Sequence, residues 1–234
     1  MKQTVLPAPD TFRHFVRTRD DRPFMVAQLG QSLDGRIATI TGDSRYIGSK
    51  TSLVHLHALR AHVDAVLVGI GTVLADDPQL NLRLVEGRNP ARVIIDAKGK
   101  VPYTAKCLAE DGTRRILLRA EGVTGERVPD GVEVKHLPAD KKGHFDLRFV
   151  ARCLSALGFD KVLVEGGARI VSQSIDMGII DRLHLMVSPV ILGSGQTGLD
   201  LKPIKVLKEA KRPPTEVILL GKGEVLFDCD LAHK

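Results

Sequence analysis

A chain of 234 residues with 43% hydrophobic residues is long enough to bury a proper core, as one α/β domain or two small ones. Its formal net charge of +6 suits acidic ligands, but the basic residues are scattered, as at Arg114-Arg115 and Lys141-Lys142, which argues against a dedicated nucleic-acid binder. Three cysteines far apart in sequence (Cys107, Cys153, Cys229) argue against a disulfide framework or a Cys-x-x-Cys metal site. No apolar run reaches the ~18 residues of a membrane span, and the N-terminus lacks a signal peptide's apolar core, so a soluble cytoplasmic protein is expected.

Residues 1–22, with Pro7, Pro9, many charges and a possible amphipathic turn at Phe12, Phe15 and Val16, read as an N-terminal arm. From Pro23 an apolar strand (FMVAQLGQS) runs to the turn signal Asp34-Gly35, and a polar loop follows with Ser44, Arg45 and Tyr46. Ser49 is an N-cap for a helix to about His62, with Leu53, Leu56, Leu59 and Val63 as its apolar stripe and Arg60 one turn beyond Leu56. His55 and His57 point to different faces of that helix and read as exposed or satisfied histidines rather than metal ligands. A second strand covers Ala65 to Gly69. Ile70 to Val73 and the polar turn ADDPQLNLR follow, in which Asp76-Asp77 read as loop-capping carboxylates.

A third buried strand is Arg92 to Asp96, with further strands near Arg115 to Arg119 and Gly131 to His136 and a helix from about Asp146 to Leu157. Lys161 to Ile175 (KVLVEGGARIVSQSI) then reads as strand, tight glycine turn, helix. Glycine lets backbone approach a ligand closely, and the amide end of a new helix suits a phosphate. RLHLMVSPVILG follows, either a buried strand or part of an interface, and strands near Val217 to Leu220 and Val225 to Phe227 form a hairpin about Gly221-Lys222-Gly223. Alternating strands and helices predict one α/β domain over residues 23–234, with a mainly parallel sheet covered by helices on both faces and a C-terminal antiparallel hairpin.

In an open sheet of this kind ligands bind outside the carboxyl ends of the strands. Those ends carry Gly30, Ser32 and Asp34, then Gly69 to Asp76, then Glu165 to Ala168. Three loops meeting at one crevice, with a glycine turn on one side and Arg60 and Arg83 on the other, suit a dinucleotide facing an anionic substrate. There is no Walker loop, no Gly-x-Ser-x-Gly elbow and no metal-ligand spacing.

QSLDGRIAT, GDSRYIGS, the LRA at 59–61, VGIGTVLADDPQLNLR, RVIID, VEGGARIVSQSI and SPVILGSG occur in that order. Together, over about residues 23–228, they resemble the reductase domain of the bifunctional riboflavin-biosynthesis deaminase/reductase. The family's cysteine and histidine zinc motif is missing and residues 1–22 leave no room for a deaminase domain, so the chain resembles the reductase half standing alone. The resemblance implies a dihydrofolate-reductase-like fold, a homodimer, and NADPH-dependent reduction of phosphoribosylaminouracil to its ribitylamino form by hydride transfer to ribose C1′.

By position it implies NADPH contacts from Gly30, Tyr46, Thr72, Asp76, Gly166, Gly167, Ala168, Arg169, Ile170, Val171, Ser172 and Gln173. It implies substrate contacts from Ser44, Arg60, Leu80, Arg83 and Glu165, the two arginines on the ribose phosphate and Glu165 on pyrimidine N–H groups. Tyr46 stands where close relatives have tryptophan, and Ala97 where a small hydroxyl residue is common. No residue presents itself as the proton donor. The alternatives are the undeaminated diaminopyrimidine or another small molecule as substrate, or a ligand-binding relative without catalysis. No nucleic-acid or membrane partner is expected.

Overall fold

Strands such as Val66-Leu67-Val68 and Val162-Leu163-Val164 are apolar at every position, so both of their faces need cover. The computed structural model describes residue 12 and residues 14–16, 21–44 and 47–232. In it β1 (Phe24–Ser32) leads through the short β2 (Arg36–Ala38) to α1 (Lys50–Ala61), β3 (Ala65–Gly69), α2 (Ile70–Asp76) and β4 (Ala91–Ile95). There follow β5 (Arg115–Ala120), β6 (Val132–Leu137), α3 (Leu147–Ala156), β7 (Lys161–Glu165) and α4 (Ala168–Asp176). The chain closes with β8 (Arg182–Ser188), β9 (Gln196–Thr197), β10 (Thr215–Gly221) and β11 (Glu224–Asp230).

Nine strands form one sheet in the order β10-β11-β8-β1-β7-β3-β4-β5-β6. Pairing is parallel from β8 through β6, and only the β11 contacts with β8 and β10 are antiparallel, as the expected hairpin requires. Side chains alternate across the strands, which places the two helix layers. Met25, Ala27, Leu67, Val162 and Val164 face one core with Val150 and Leu154 of α3 and Val171 and Ile175 of α4. Val26, Val66, Val68 and Leu163 face the other, with Leu59 of α1 and Val73 of α2. The mainly parallel sheet with helices on both faces is as expected from the strand and helix alternation.

Two local expectations are corrected, and one left open between two readings is decided. Leu56, Leu59 and Val63 of the expected stripe pack in the core, but Leu53 is 51% exposed, and the buried face of α1 also carries Ser52, His55, His57 and Arg60. It is polar because polar partners from other strands meet it: His55 Nε2 lies 2.9 Å from His184 Nδ1 of β8, and Ser49, the N-cap, bonds Glu224 of β11. The stretch after Gly69 is not a plain turn, since its first part coils into α2 before Asp77 ends it in the left-handed region (φ 41°). RLHLMVS is an interior strand between β1 and β11, so it belongs to the core.

Before Arg22, Phe12 and Phe15 are buried in the α1-side core. Phe12 stacks on His62 at 4.2 Å and Phe15 packs on Phe24 at 5.3 Å. Each buried phenylalanine contributes on the order of 2 kcal/mol. Arg22 forks onto the Asp181 carboxylate at 2.6 and 2.7 Å, joining the start of β1 to the start of β8.

Candidate active site

β1, β7 and β3 are adjacent in the sheet, so the loops leaving their carboxyl ends gather on one side. Between them lies a cavity of about 900 Å³. Its wall includes Gly30 from β1, Ser44 from the following loop, Thr72 and Asp76 from α2, and Gly166, Gly167, Ala168, Arg169, Ile170 and Gln173 from the β7–α4 turn. All of these are residues the sequence proposes for one site, and the fold brings them together.

The turn itself depends on two glycines. Gly166 and Gly167 have φ of 63° and 69°, where an L side chain is strained, and a Cβ on either would stand 3.3 Å from the Thr72 side chain. Gly167 is the N-cap of α4 and offers no side-chain cap, so the first amide groups of the helix stay available at the cavity wall. Gly69 is small for a different reason: a Cβ there would lie 2.5 Å from Ile170 Cδ1, which packs α4 against the end of β3.

Beside the turn, Arg60 and Glu165 hold each other. Arg60 Nε and Nη2 donate to the two Glu165 oxygens at 2.6 and 2.7 Å, and Arg60 Nη1 donates to the Asn81 carbonyl at 2.9 Å. Burial opposes the guanidinium's charge, but the Glu165 carboxylate overcomes it and holds the Arg60 pKa above its ordinary value. Arg60 has donors from all three nitrogens committed within the protein, while Arg83 is exposed, donating to Asn81 Oδ1 at 2.6 Å and Gln79 Oε1 at 3.1 Å. Arg60, Arg83 and Glu165 adjoin the cavity through Gly166 and the loop after α2 rather than lining it.

The remaining expected residues divide. Leu80 is buried, with a left-handed backbone (φ 56°), and anchors its loop in the core. Val171 faces the α3–α4 core, and the Ser172 hydroxyl accepts from the Asp200 N–H, so these two side chains turn away from the cavity although their helix borders it. The paired carboxylates separate: Asp76 turns to the cavity beside Ser44, while Asp77 accepts from the Lys106 amide at 2.9 Å and pairs with its ammonium at 3.0 Å. Tyr46 lies outside the described residues.

Other lining residues were not singled out by sequence. Lys98 and Lys100 follow the carboxyl end of β4, and the strand-end rule applied once more would have found them. Ile37, Ala38 and Gln196 arrive on the β2–β9 ribbon and His144 on the loop before α3, none with a local signature. Arg169 Nη2 donates to His144 Nε2 at 2.8 Å, so basic groups stand at the rim near the α4 amides. Ser32 and Asp34 are structural: the Asp34 carboxylate accepts from Ser32 Oγ (2.6 Å) and from the Leu192 and Gly193 amides (3.0 and 2.7 Å). Those bonds, led by Ser32, hold its pKa down to about 2. Among the described residues no group of three or more His, Cys, Asp or Glu side chains could hold a metal ion, and no helix is long and apolar enough to cross a membrane.

A crevice at the carboxyl ends of parallel strands, with a glycine turn and a bare helix N-terminus in its wall, defines the class of α/β proteins that bind nucleotide phosphates at strand ends. Residues 23–225 match the RibD C-terminal domain family, and the chain belongs to that family. It is 34% identical over 216 residues to the riboflavin biosynthesis protein RibD of Aquifex aeolicus, covering 91% of this chain and 59% of that protein.

It is 31% identical over 196 residues to the 2,5-diamino-6-ribosylamino-4(3H)-pyrimidinone 5′-phosphate reductase of Methanothermobacter thermautotrophicus, covering 82% of this chain and 90% of that one. Among solved structures, the deaminase/5-amino-6-(5-phosphoribosylamino)uracil reductase of Thermotoga maritima superposes with a TM-score of 0.73 at 33% identity, over 89% of this chain and 56% of the other. The chain thus spans a little over half the length of the bifunctional relatives and most of the archaeal reductase.

Proposed function

We propose that this chain is a nicotinamide-dependent reductase of riboflavin biosynthesis, reducing the phosphoribosyl side chain of an aminopyrimidine to a ribityl group with NADPH. The observation that carries the reading is the Gly166-Gly167 turn, closed on Thr72, opening α4 into the cavity directly beside the buried Arg60–Glu165 pair. The cavity fits the cofactor: a cradle that a Cβ would narrow, free helix amides, and Lys98, Lys100 and Arg169 for phosphate oxygens. Gly30, Thr72, Asp76, the residues from Gly166 to Ile170 and Gln173 would hold NADPH, which would supply the hydride.

This chain's residues position and enclose. Thr72 and Asp76 offer a hydroxyl and a carboxylate to amide and ribose groups. Arg83, exposed and fixed by its loop, takes the substrate phosphate, Leu80 seats that loop, and Ser44 offers the substrate a hydroxyl from the cavity wall. Glu165 is oriented by the two Arg60 hydrogen bonds to accept from the pyrimidine. Arg60 acts on the substrate chiefly through Glu165 and the Asn81 carbonyl, because its donors face those groups.

NADPH oxidation followed spectrophotometrically with phosphoribosylaminouracil and with its undeaminated diamino precursor tests the reading. Turnover of neither, with NADPH bound, removes the pathway and leaves the fold. The undeaminated substrate is the second reading, favoured by coverage of 90% of an archaeal reductase whose name specifies the diamino compound. The protein acts in the cytoplasm as a homodimer, which sedimentation equilibrium checks against the 25.5 kDa of one chain.

A further inference from the structure

Helix α1 turns two polar side chains, one turn apart, onto the loop that ends at Arg83. Arg60 donates to the Asn81 carbonyl, and His57 Nδ1 lies 3.0 Å from the Arg83 backbone nitrogen, which donates to it. A ring nitrogen that accepts carries no proton, so His57 is the neutral tautomer with its hydrogen on Nε2. Burial first, and then the Arg60 and Arg83 guanidiniums, keep it neutral down to about pH 4. The rest of the loop is pinned as well: Leu80 sits in the core and the Leu82 amide donates to Asn89 Oδ1 at 2.8 Å. Of these anchors, His57 alone bonds the Arg83 backbone directly.

We propose that His57 is a positioning residue: by accepting the Arg83 N–H at Nδ1 it sets where the Arg83 guanidinium stands, and through it the affinity for the phosphate of the substrate. This rests on Arg83 as the phosphate contact. Among the described residues the side chain of Arg83 bonds Asn81 and Gln79 of the same loop, so its placement follows the loop backbone. Removing the acceptor leaves the Arg83 N–H facing an apolar side chain and lets the turn relax away from α1.

The test uses His57→Leu, which removes the acceptor, and His57→Asn, whose Oδ1 can stand near the position of Nδ1. In His57→Leu, KM for the phosphorylated aminopyrimidine rises about tenfold with kcat within about twofold, the measure of one lost, partly buried hydrogen bond. NADPH affinity and binding of dephosphorylated substrate stay at the parent's values, and His57→Asn recovers most of the loss. Equal KM in parent and His57→Leu overturns the inference, as does a parallel loss of NADPH affinity, which would mark a merely structural histidine.

Two readouts do not need turnover. The ¹⁵N spectrum of the parent's His57 must show Nδ1 unprotonated, and calorimetry with ribose 5-phosphate must show weaker binding to His57→Leu than to the parent. A protonated Nδ1 at neutral pH, or equal ribose 5-phosphate affinity, overturns the inference even if His57→Leu folds poorly or the parent reduces no pyrimidine. A parent without turnover whose ribose 5-phosphate binding still depends on His57 would instead sink the pathway reading alone.

Discussion

Glu165 and Arg60 are both buried, and a buried pair is costly to break because the survivor's charge is left without compensation. Glu165→Gln is therefore expected to lower unfolding stability by about 3–5 kcal/mol, read from the urea midpoint, as well as abolish substrate binding. Gly167→Ala acts on the other side of the turn. It places a Cβ 3.3 Å from Thr72 Oγ1 in a backbone that L residues avoid, so NADPH affinity should fall about tenfold by calorimetry and unfolding stability should drop by about 1–2 kcal/mol, read from the urea midpoint.

The histidines set the acid limit. Burial first, then the neighbouring charges, lower His55 to about 3 and His57 to about 4 from 6.5. Below pH 6.5 the unfolded chain takes up protons that the folded one refuses, so stability falls with pH from there toward about 4. A Tm that declines steadily across that window, well before most carboxylates titrate, is the expected result. A Tm flat down to pH 4.5 would contradict it.

At the scale of elements, the β2–β9 ribbon over the cavity hangs on Asp34, which ties the Asp34-Gly35 turn to the Leu192 and Gly193 amides. Asp34→Ala should speed hydrogen exchange at those two amides while leaving β7 and β3 protected, because the ribbon is separate from the main sheet. The turn residues Asp34 and Gly35 are visible in sequence, but their partner loop 158 positions away is not. The same limit explains α1. Its start at Ser49 is a local signal and appears where the N-cap rule puts it, and Leu56, Leu59 and Val63 pack inward as their spacing predicts, whereas the buried polar residues beside them follow from what packs on the helix. Glu165, His184 and Glu224, all from strands formed much later in the chain, convert that face into a polar one.

Over the whole molecule, the apolar runs, turn glycines and caps are local physics, and they determined β1, β3, β4, β5, β6 and β7, the helices α1, α3 and α4, and the final hairpin, whereas α2 and the extent of β8 were not legible. Ordered motifs and the strand-end rule together also named most of the cavity wall, because a strand's carboxyl end is legible wherever the strand is. Which strands become neighbours is a matter of long-range packing. Only the order β1-β7-β3 brings Thr72 against Gly166 and Gly167, and only the approach of α1 to β7 couples Arg60 to Glu165 instead of leaving it free for a phosphate. Ion pairs such as Arg60–Glu165, histidine contacts such as His55–His184 and the Asp34 bonds that hold the ribbon join residues more than a hundred positions apart and carry no local signature. The sequence by itself determined the elements and the class of site, and the tertiary structure decided which charged groups spend their hydrogen bonds on one another.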